Sequence, residues 1–479
     1  MKKITRHALI ACAILLLAPL AALHAADATE TTLQYRQPAV QATRPTTSAV
    51  DLLRPYQALG FVGDSITQGK YPKDLQALLA TRYPGRDLWT IDFGAAGQTS
   101  THGPQRIGYD IFGGSIRPDV VFINFGMNDV APLGFTTSAP RIAEESKKRR
   151  EQFTTNLREM IRRCGQRGAK VVVLAPTPFD DATTSLREAG TRPVAAKELE
   201  RFAGISRDVA AEARAMFIDL HTPLDQYNKL KQADDPSFTI IRDRVHPDAA
   251  GNLLITSVIL KALKARPQIY DITLDVTADA PVNAAGAKVS AIVRTGGGLK
   301  FSLNESAMPF PVPTPKRGLK VLESPVDYAA EWNRQRLTIR NLPAGEYALK
   351  IDDTPVGTYS AKALAAGIDL GSNTNTPQYQ AAAKIVALVM GAKAKLEEDI
   401  RAMVANGKEG WQTEPADKLL ASVNKRIGEL KARNAFRSWA SYSLSTARDA
   451  FGRREEILNL TVSGLQFDLT SYPARRWRC

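Results

Sequence analysis

Apolar positions in the first half of the chain fall in short unbroken runs, separated by stretches whose apolar residues recur every three to four positions. The runs at 59–62, 88–93, 120–125, 171–174 and 216–220 read as strands buried on both faces. Helices are predicted between them over 71–83, 142–166 and 194–214, and a last one over about 248–264. In the second helix Phe153, Leu157, Met160, Ile161 and Cys164 share one face, and in the last one Leu253, Leu254, Val258, Leu260 and Leu263 supply the apolar positions. Strand–helix alternation of this kind predicts an α/β fold, a three-layer parallel sheet with helices on both faces, over residues 56–268.

Past residue 268 the pattern changes to period two, at 270–276, 336–340 and 346–352, with Asn341-Leu342-Pro343-Ala344-Gly345 as a turn between the last two. Residues 269–370 are therefore expected to form a small antiparallel β region. Thr376-Pro377 is a helix start, with Thr as N-cap and Pro in the first turn, and Ile385, Leu388, Val389, Leu396, Ile400 and Met403 continue its stripe. A second helical stretch is predicted near 415–433, and 438–479 has no decisive period, so 371–479 is expected to be mainly helical. Residues 26–55, polar and rich in Thr, Ala and Pro, read as an extended arm or linker.

The N-terminus has its own pattern. Lys2, Lys3 and Arg6 precede an almost unbroken apolar run over 8–23, and Ala25 and Ala26 offer a cleavage point. This is the layout of a signal peptide over 1–25, and the run is shorter than the ~20 residues a spanning helix needs. Cys12 lies at the start of the run rather than after it, which argues against lipidation. The expectation is an exported protein, periplasmic or extracellular, with no stable membrane insertion.

Composition narrows the class. With 479 residues, 44% hydrophobic and 23% charged, the chain is too apolar to be disordered, and three cysteines are too few for a disulfide scaffold. Removing 1–25 takes away three positive charges, lowering the net charge from +14 to about +11. The surplus sits beside Glu on the 142–166 helix, as on a solvated face, and export argues against nucleic acid as a partner. Cys164 and Cys479 remain, with pairing left open, as do His102, His221 and His246. The sequence sets no oligomeric state.

Three histidines limit the bases available for acid–base chemistry. The first strand runs into Gly63-Asp64-Ser65, which puts a serine where open α/β sheets bind ligands. A phosphate loop fails there: five residues rather than four separate Gly63 from Gly69-Lys70, and Tyr71 stands where Ser or Thr is required. No Gly-x-Ser-x-Gly elbow occurs. A serine nucleophile needs a base, and the base an orienting acid. His246 follows Asp243 by three residues, a spacing that in a tight turn brings the carboxylate to one ring nitrogen. His221 and His102 have no acid so placed. Gly97 and Asn128 follow the second and third strands, where a backbone N–H and a side-chain amide, with the Ser65 N–H, are candidate oxyanion donors. No His-Glu-x-x-His or Cys/His cluster occurs, so no metal or other cofactor is expected.

Taken together, Gly63-Asp64-Ser65, Gly94-Ala95-Ala96-Gly97, Gly126-Met127-Asn128-Asp129 and Asp243-Arg244-Val245-His246 resemble the four blocks of the SGNH (GDSL-type) hydrolase superfamily. The resemblance covers roughly 56–268. It implies Ser65 as nucleophile, His246 as base, Asp243 as its orienting acid, and Ser65, Gly97 and Asn128 as the oxyanion hole. One departure is visible: Asp92 stands where the second block usually opens with Asn, which bears on loop geometry. The superfamily's range implies an ester hydrolase, and an appended β region on an exported enzyme favours O-acetyl groups of a carbohydrate. A short-chain lipase or lysophospholipase, a glycan-binding protein and an acetyl-transferring protein are the alternatives.

Overall fold

The computed structural model describes residues 52–53, 58–68, 71–84, 86, 88–113, 117–130, 139–184, 193–295, 298–311, 328–405 and 440–446. The expected signal peptide, the arm apart from residues 52–53, the 415–433 helix and Cys479 lie outside the described residues.

Five strands, β1 (Ala58–Gly63), β2 (Trp89–Gly94), β3 (Val120–Asn124), β4 (Lys170–Leu174) and β5 (Met216–Ile218), form one parallel sheet in the order β2-β1-β3-β4-β5. Their central residues are buried, as sheets covered on both faces require. Successive side chains point to opposite faces. Phe61 stacks on Phe122 (4.4 Å between centroids) and meets Tyr71 edge-on, so α1 (Tyr71–Arg82) covers that face. Val62, Val121, Ile123, Val171 and Val173 look the other way and share a core with Phe153 and Phe202. Those two rings stack between α4 (Ala139–Gln166) and α5 (Pro193–Glu212).

The short helices α2 (Gly103–Arg106) and α3 (Met127–Val130) follow β2 and β3, and α6 (His221–Gln232) follows β5. Helix α7 (Ala249–Ala262) opens on Asp248, whose carboxylate accepts from Gly251 N at 2.9 Å. On α4, Lys147, Arg149, Arg162 and Arg163 pair with Glu151, Glu145 and Glu159, so part of the basic surplus is neutralised locally. Cys164 is buried on that helix, and burial pushes its thiol up to about 12.

The β region contains two sheets over one core. Strands β6 (Tyr270–Asp275), β7 (Asn283–Ala285), β10 (Gln335–Arg340) and β13 (Ile368–Asp369) are ordered β13-β10-β6-β7. Strands β8 (Ala287–Thr295), β9 (Gly298–Glu305), β11 (Glu346–Ile351), β12 (Thr354–Ser360) and β14 (Ala440–Thr446) are ordered β12-β11-β14-β9-β8. Pairing is antiparallel except between β6 and β10, which run parallel. Leu274, Leu303, Ile339, Leu349 and Leu444 meet between the sheets. Helices α8 (Tyr328–Glu331) and α9 (Ala361–Ala366) precede β10 and β13.

The C-terminal region is not purely helical, since β14 completes the second sheet between β11 and β9. Its long helix α10 (Pro377–Ala405) is capped by Thr376 Oγ1, which accepts from Tyr379 N at 3.2 Å. Ala382, Ile385 and Val389 of α10 pack on Met308, with Ala80 and Trp89 beside them, so the helix folds back onto α1 and β2.

Candidate active site

With β1 at a topological switch point between β2 and β3, the loops at its C-terminal end open the crevice where such sheets bind ligands. Ser65 lies there, two residues past the end of β1 and half-buried. His246 comes from the turn before α7. Its Nε2 is 2.8 Å from Ser65 Oγ, and its Nδ1 is 2.7 Å from Asp243 Oδ2. With Nδ1–H donating to the carboxylate, Nε2 is left as the acceptor for the serine hydroxyl.

The turn that places His246 is built by Asp243 itself. Its Oδ1 accepts from His246 N at 2.7 Å and from Val245 N at 3.2 Å, leaving Oδ2 for the ring. Partial burial pushes the Asp243 carboxyl up, but the hydrogen bonds and charge of His246 outweigh it and hold the group below the usual carboxylate range. Arg244, at φ 68°, turns the chain between acid and histidine. Its backbone N–H donates to Ile241 O at 3.0 Å, and Arg242 N donates to His246 O at 2.9 Å.

The other two candidate loops are tied to one another. Gly97 is exposed at φ 75°, a left-handed conformation that favours glycine. Asn128 Nδ2 donates one N–H to Gln98 O at 3.0 Å, so the residue after Gly97 holds the amide by one of its two donors. Asp129 accepts from Ser100 Oγ at 2.6 Å and from Ser100 N at 3.0 Å. Burial raises the Asp129 carboxyl above its ordinary range, against the lowering by the Ser100 bonds and the Arg149 charge. Burial also raises Asp64, to about 7, where its Oδ1 accepts from Ile66 N at 2.9 Å.

Asp92 accounts for the departure in the second block. Its Oδ1 accepts from Gly94 N at 2.8 Å, a bond an asparagine oxygen makes equally well. A Cβ on Gly94 would lie 2.3 Å from Gln68 N, so this loop and the Ser65 loop approach too closely for a side chain.

The remaining histidines are placed elsewhere. His102 is exposed, with Nδ1 3.1 Å from Thr99 Oγ1. His221 is buried at the start of α6, with Nδ1 3.2 Å from Pro176 O, and burial lowers its pKa against the opposing pull of Asp225 and that carbonyl. Among the described residues no group of three or more His, Cys, Asp or Glu is placed to hold a metal ion, and no helix is long and apolar enough to cross a membrane.

Sequence reasoning passed over two arginines and one acid that frame this site. Arg106 donates to Gly63 O, the last carbonyl of β1, and to Phe93 O, the last but one of β2. Arg244 donates from Nη1 to Asp180 O and from Nη2 to Thr183 O, both at 2.9 Å. Asp180 is buried in the loop after β4, where its carboxylate accepts from Thr183 N, Asn228 Nδ2 and Gln232 Nε2. The two arginines bind mainly backbone carbonyls, and Asp180 binds side chains about fifty residues away, so none of them leaves a motif.

Residues 61–254 match the model of the GDSL-like lipase/acylhydrolase family, so this stretch is a GDSL-type domain and the class of protein is a carboxylic ester hydrolase. Among solved structures, a gut microbial diltiazem-metabolizing enzyme is similar over 82% of this chain and 98% of its own, at 24% identity and a TM-score of 0.69. That likeness is one of fold, and it extends past the GDSL-type domain into the β region. An acetylxylan esterase from Geobacillus stearothermophilus matches 44% of this chain and 95% of its own, at 20% identity and a TM-score of 0.36. An alpha/beta hydrolase enzyme from the metagenome of Lake Arreo, Spain, matches 45% and 98%, at 24% identity and a TM-score of 0.35. No curated protein matches the chain.

Proposed function

We propose that the protein is an exported serine ester hydrolase that removes O-acetyl groups from a carbohydrate through an acyl-enzyme. The observation that carries the mechanism is the relay from Ser65 Oγ to His246 Nε2 (2.8 Å) and from His246 Nδ1 to Asp243 Oδ2 (2.7 Å). In this reading Ser65 Oγ attacks the acetyl carbonyl carbon while its proton passes to His246 Nε2. The carbonyl oxygen becomes an oxyanion facing the N–H groups of Ser65 and Gly97 and the free amide N–H of Asn128. Each such donor is worth roughly 10²–10³ in rate. The C–O bond to the sugar then breaks as His246 returns the proton to the leaving oxygen. Water repeats the cycle, and acetate and Ser65 are released.

The substrate assignment is supported by the polar side chains on the segments that follow β1, β2 and β3. Gln68, Thr99, Thr101, His102 and Asn128 are half-buried or exposed there, which suits a hydroxyl-rich alcohol better than a long acyl chain. Export is supported by the basic start, the apolar run and the small residues of the first 26 positions. The test is acetate release from a panel of acetylated polysaccharides, with Ser65→Ala as control. Faster deacetylation of a glycan than of esters with acyl chains of eight or more carbons is expected, and the reverse preference overturns the substrate assignment.

A further inference from the structure

Carbonyls in the last two residues of β1 and β2 converge on one buried cation. Arg106 is 7% exposed. Its Nη1 donates to Gly63 O at 3.2 Å, its Nη2 to Phe93 O, and its Nε to Asp110 Oδ2 at 2.7 Å. Gly63 precedes Ser65 by two residues, and Phe93 precedes Gly97 by four. Gly63 O also accepts from Ala95 N at 3.0 Å, so the Gly97 loop and the arginine grip the same carbonyl. A guanidinium presents its donors in a rigid planar fork, which fixes the two carbonyls it holds in direction relative to one another.

The segment behind Arg106 is built for this placement. Helix α2 runs directly into a π-helical turn, Ile107–Ile111, closed by Phe112 N on Ile107 O at 3.2 Å. Such turns are rare and concentrate at functional sites. This one carries Asp110, whose carboxylate holds Nε and so sets the plane of the guanidinium. An apolar side chain of similar size would fill the space but leave Phe93 O without this donor and Asp110 without its cation, so the arginine is specified by the bonds it makes rather than by packing.

We infer that Arg106 is a positioning residue for the oxyanion hole: it locks the ends of β1 and β2 so that the Ser65 and Gly97 N–H groups point at one spot. The inference rests on the reading of Ser65 as nucleophile. Oxyanion donors stabilise the transition state because they are preset, and a misplacement of about 1 Å can cost on the order of a hundredfold in rate. Arg106 touches no substrate in this account, so its loss acts on kcat and leaves KM in place.

The test compares Arg106→Met, Arg106→Lys and Asp110→Asn with the unaltered protein on p-nitrophenyl acetate. Methylboronic acid serves as a tetrahedral mimic and acetate as a ground-state competitor. In Arg106→Met, kcat is expected to fall about ten- to a hundredfold with KM within about twofold. Boronate affinity falls with kcat, acetate affinity is unchanged, and Arg106→Lys and Asp110→Asn lie between. A kcat within about twofold of the unaltered protein, or a lost kcat with full boronate affinity, overturns the inference. Should Arg106→Met fail to fold, Asp110→Asn decides by the same two readouts. Ser65→Ala separates the two levels. If it is inactive while the Arg106 and Asp110 variants behave as the unaltered protein, only the role of Arg106 falls. If it keeps full activity, the nucleophile reading fails and the inference with it.

Discussion

Arg244 and Asp180 bind one another twice: the Arg244 side chain donates from Nη1 to Asp180 O, and Asp180 N donates to Arg244 O, both at 2.9 Å. The pair welds the turn carrying Asp243 and His246 to the loop after β4. Arg244→Ala leaves the Asp180 and Thr183 carbonyls without these donors in a buried setting, a loss of about 2–4 kcal/mol. Denaturant unfolding should show that loss, and esterase assays should show a lower kcat from a loosened His246. An unchanged unfolding midpoint contradicts this account of the turn.

Asp243 builds the turn with Oδ1 and orients the ring with Oδ2, so its removal has two separable effects. Asp243→Ala loses both, whereas Asp243→Asn keeps an oxygen for the backbone bonds but presents an amide to Nδ1. In Asp243→Asn, kcat is expected to fall by about 10² or more with the fold intact, because the ring is then held in the wrong tautomer. Circular dichroism alongside kcat checks this, and a variant with full kcat would show that the ring needs no acid.

The β region contains a buried carboxyl whose titration is coupled to stability. Glu305 accepts from Tyr442 Oη at 2.6 Å, Gln378 Nε2 at 2.9 Å and Gln335 Nε2 at 3.1 Å, tying β9 to β14, α10 and β10. Burial raises it to about 7 despite those donors, with the Asp352 charge acting in the same direction. The folded state therefore holds a proton that the unfolded chain releases near the ordinary value of 4.5. The stability this group contributes is complete below about 4.5 and declines until about 7, by up to about 3 kcal/mol. Glu305→Gln removes that slope, so its stability relative to the unaltered protein should rise between those pH values. A difference that stays flat with pH contradicts the assignment.

Trp332 joins the β region to the GDSL-type domain. Its Nε1 donates to Ser257 Oγ on α7 at 3.0 Å, and its carbonyl accepts from Arg82 on α1. Met308 N adds a bond to Thr81 O at 2.9 Å. The side chain is fully buried, so Trp332→Ala should cost about 3–5 kcal/mol. Because the seam is packed and hydrogen-bonded, calorimetry should show one cooperative transition for both parts. Two resolved transitions in the unaltered protein would show that the parts fold independently.

The sheet was legible because strands buried on both faces appear as unbroken apolar runs; β1 to β5 lie within three residues of the runs that predict them. The direction of β6 against β10 was not, since alternation marks a strand but not its partner. Nor was the insertion of β14, which pairs Ala440 with Leu303 across a long stretch of chain. At the site, Ser65, Asp243 and His246 stand out because serine chemistry needs those side chains at particular spacings. Arg106, Arg244 and Asp180 stayed silent because their partners are backbone carbonyls or side chains distant in sequence or in no known motif, such as Asp110, Asn228 and Gln232.

In the proposed function Ser65 is the nucleophile of an ester hydrolase. The most direct measurement is p-nitrophenyl acetate hydrolysis by the unaltered protein and by Ser65→Ala, each with matching circular dichroism. Turnover is expected from the first and none above background from the second. Undiminished turnover by folded Ser65→Ala would contradict that role.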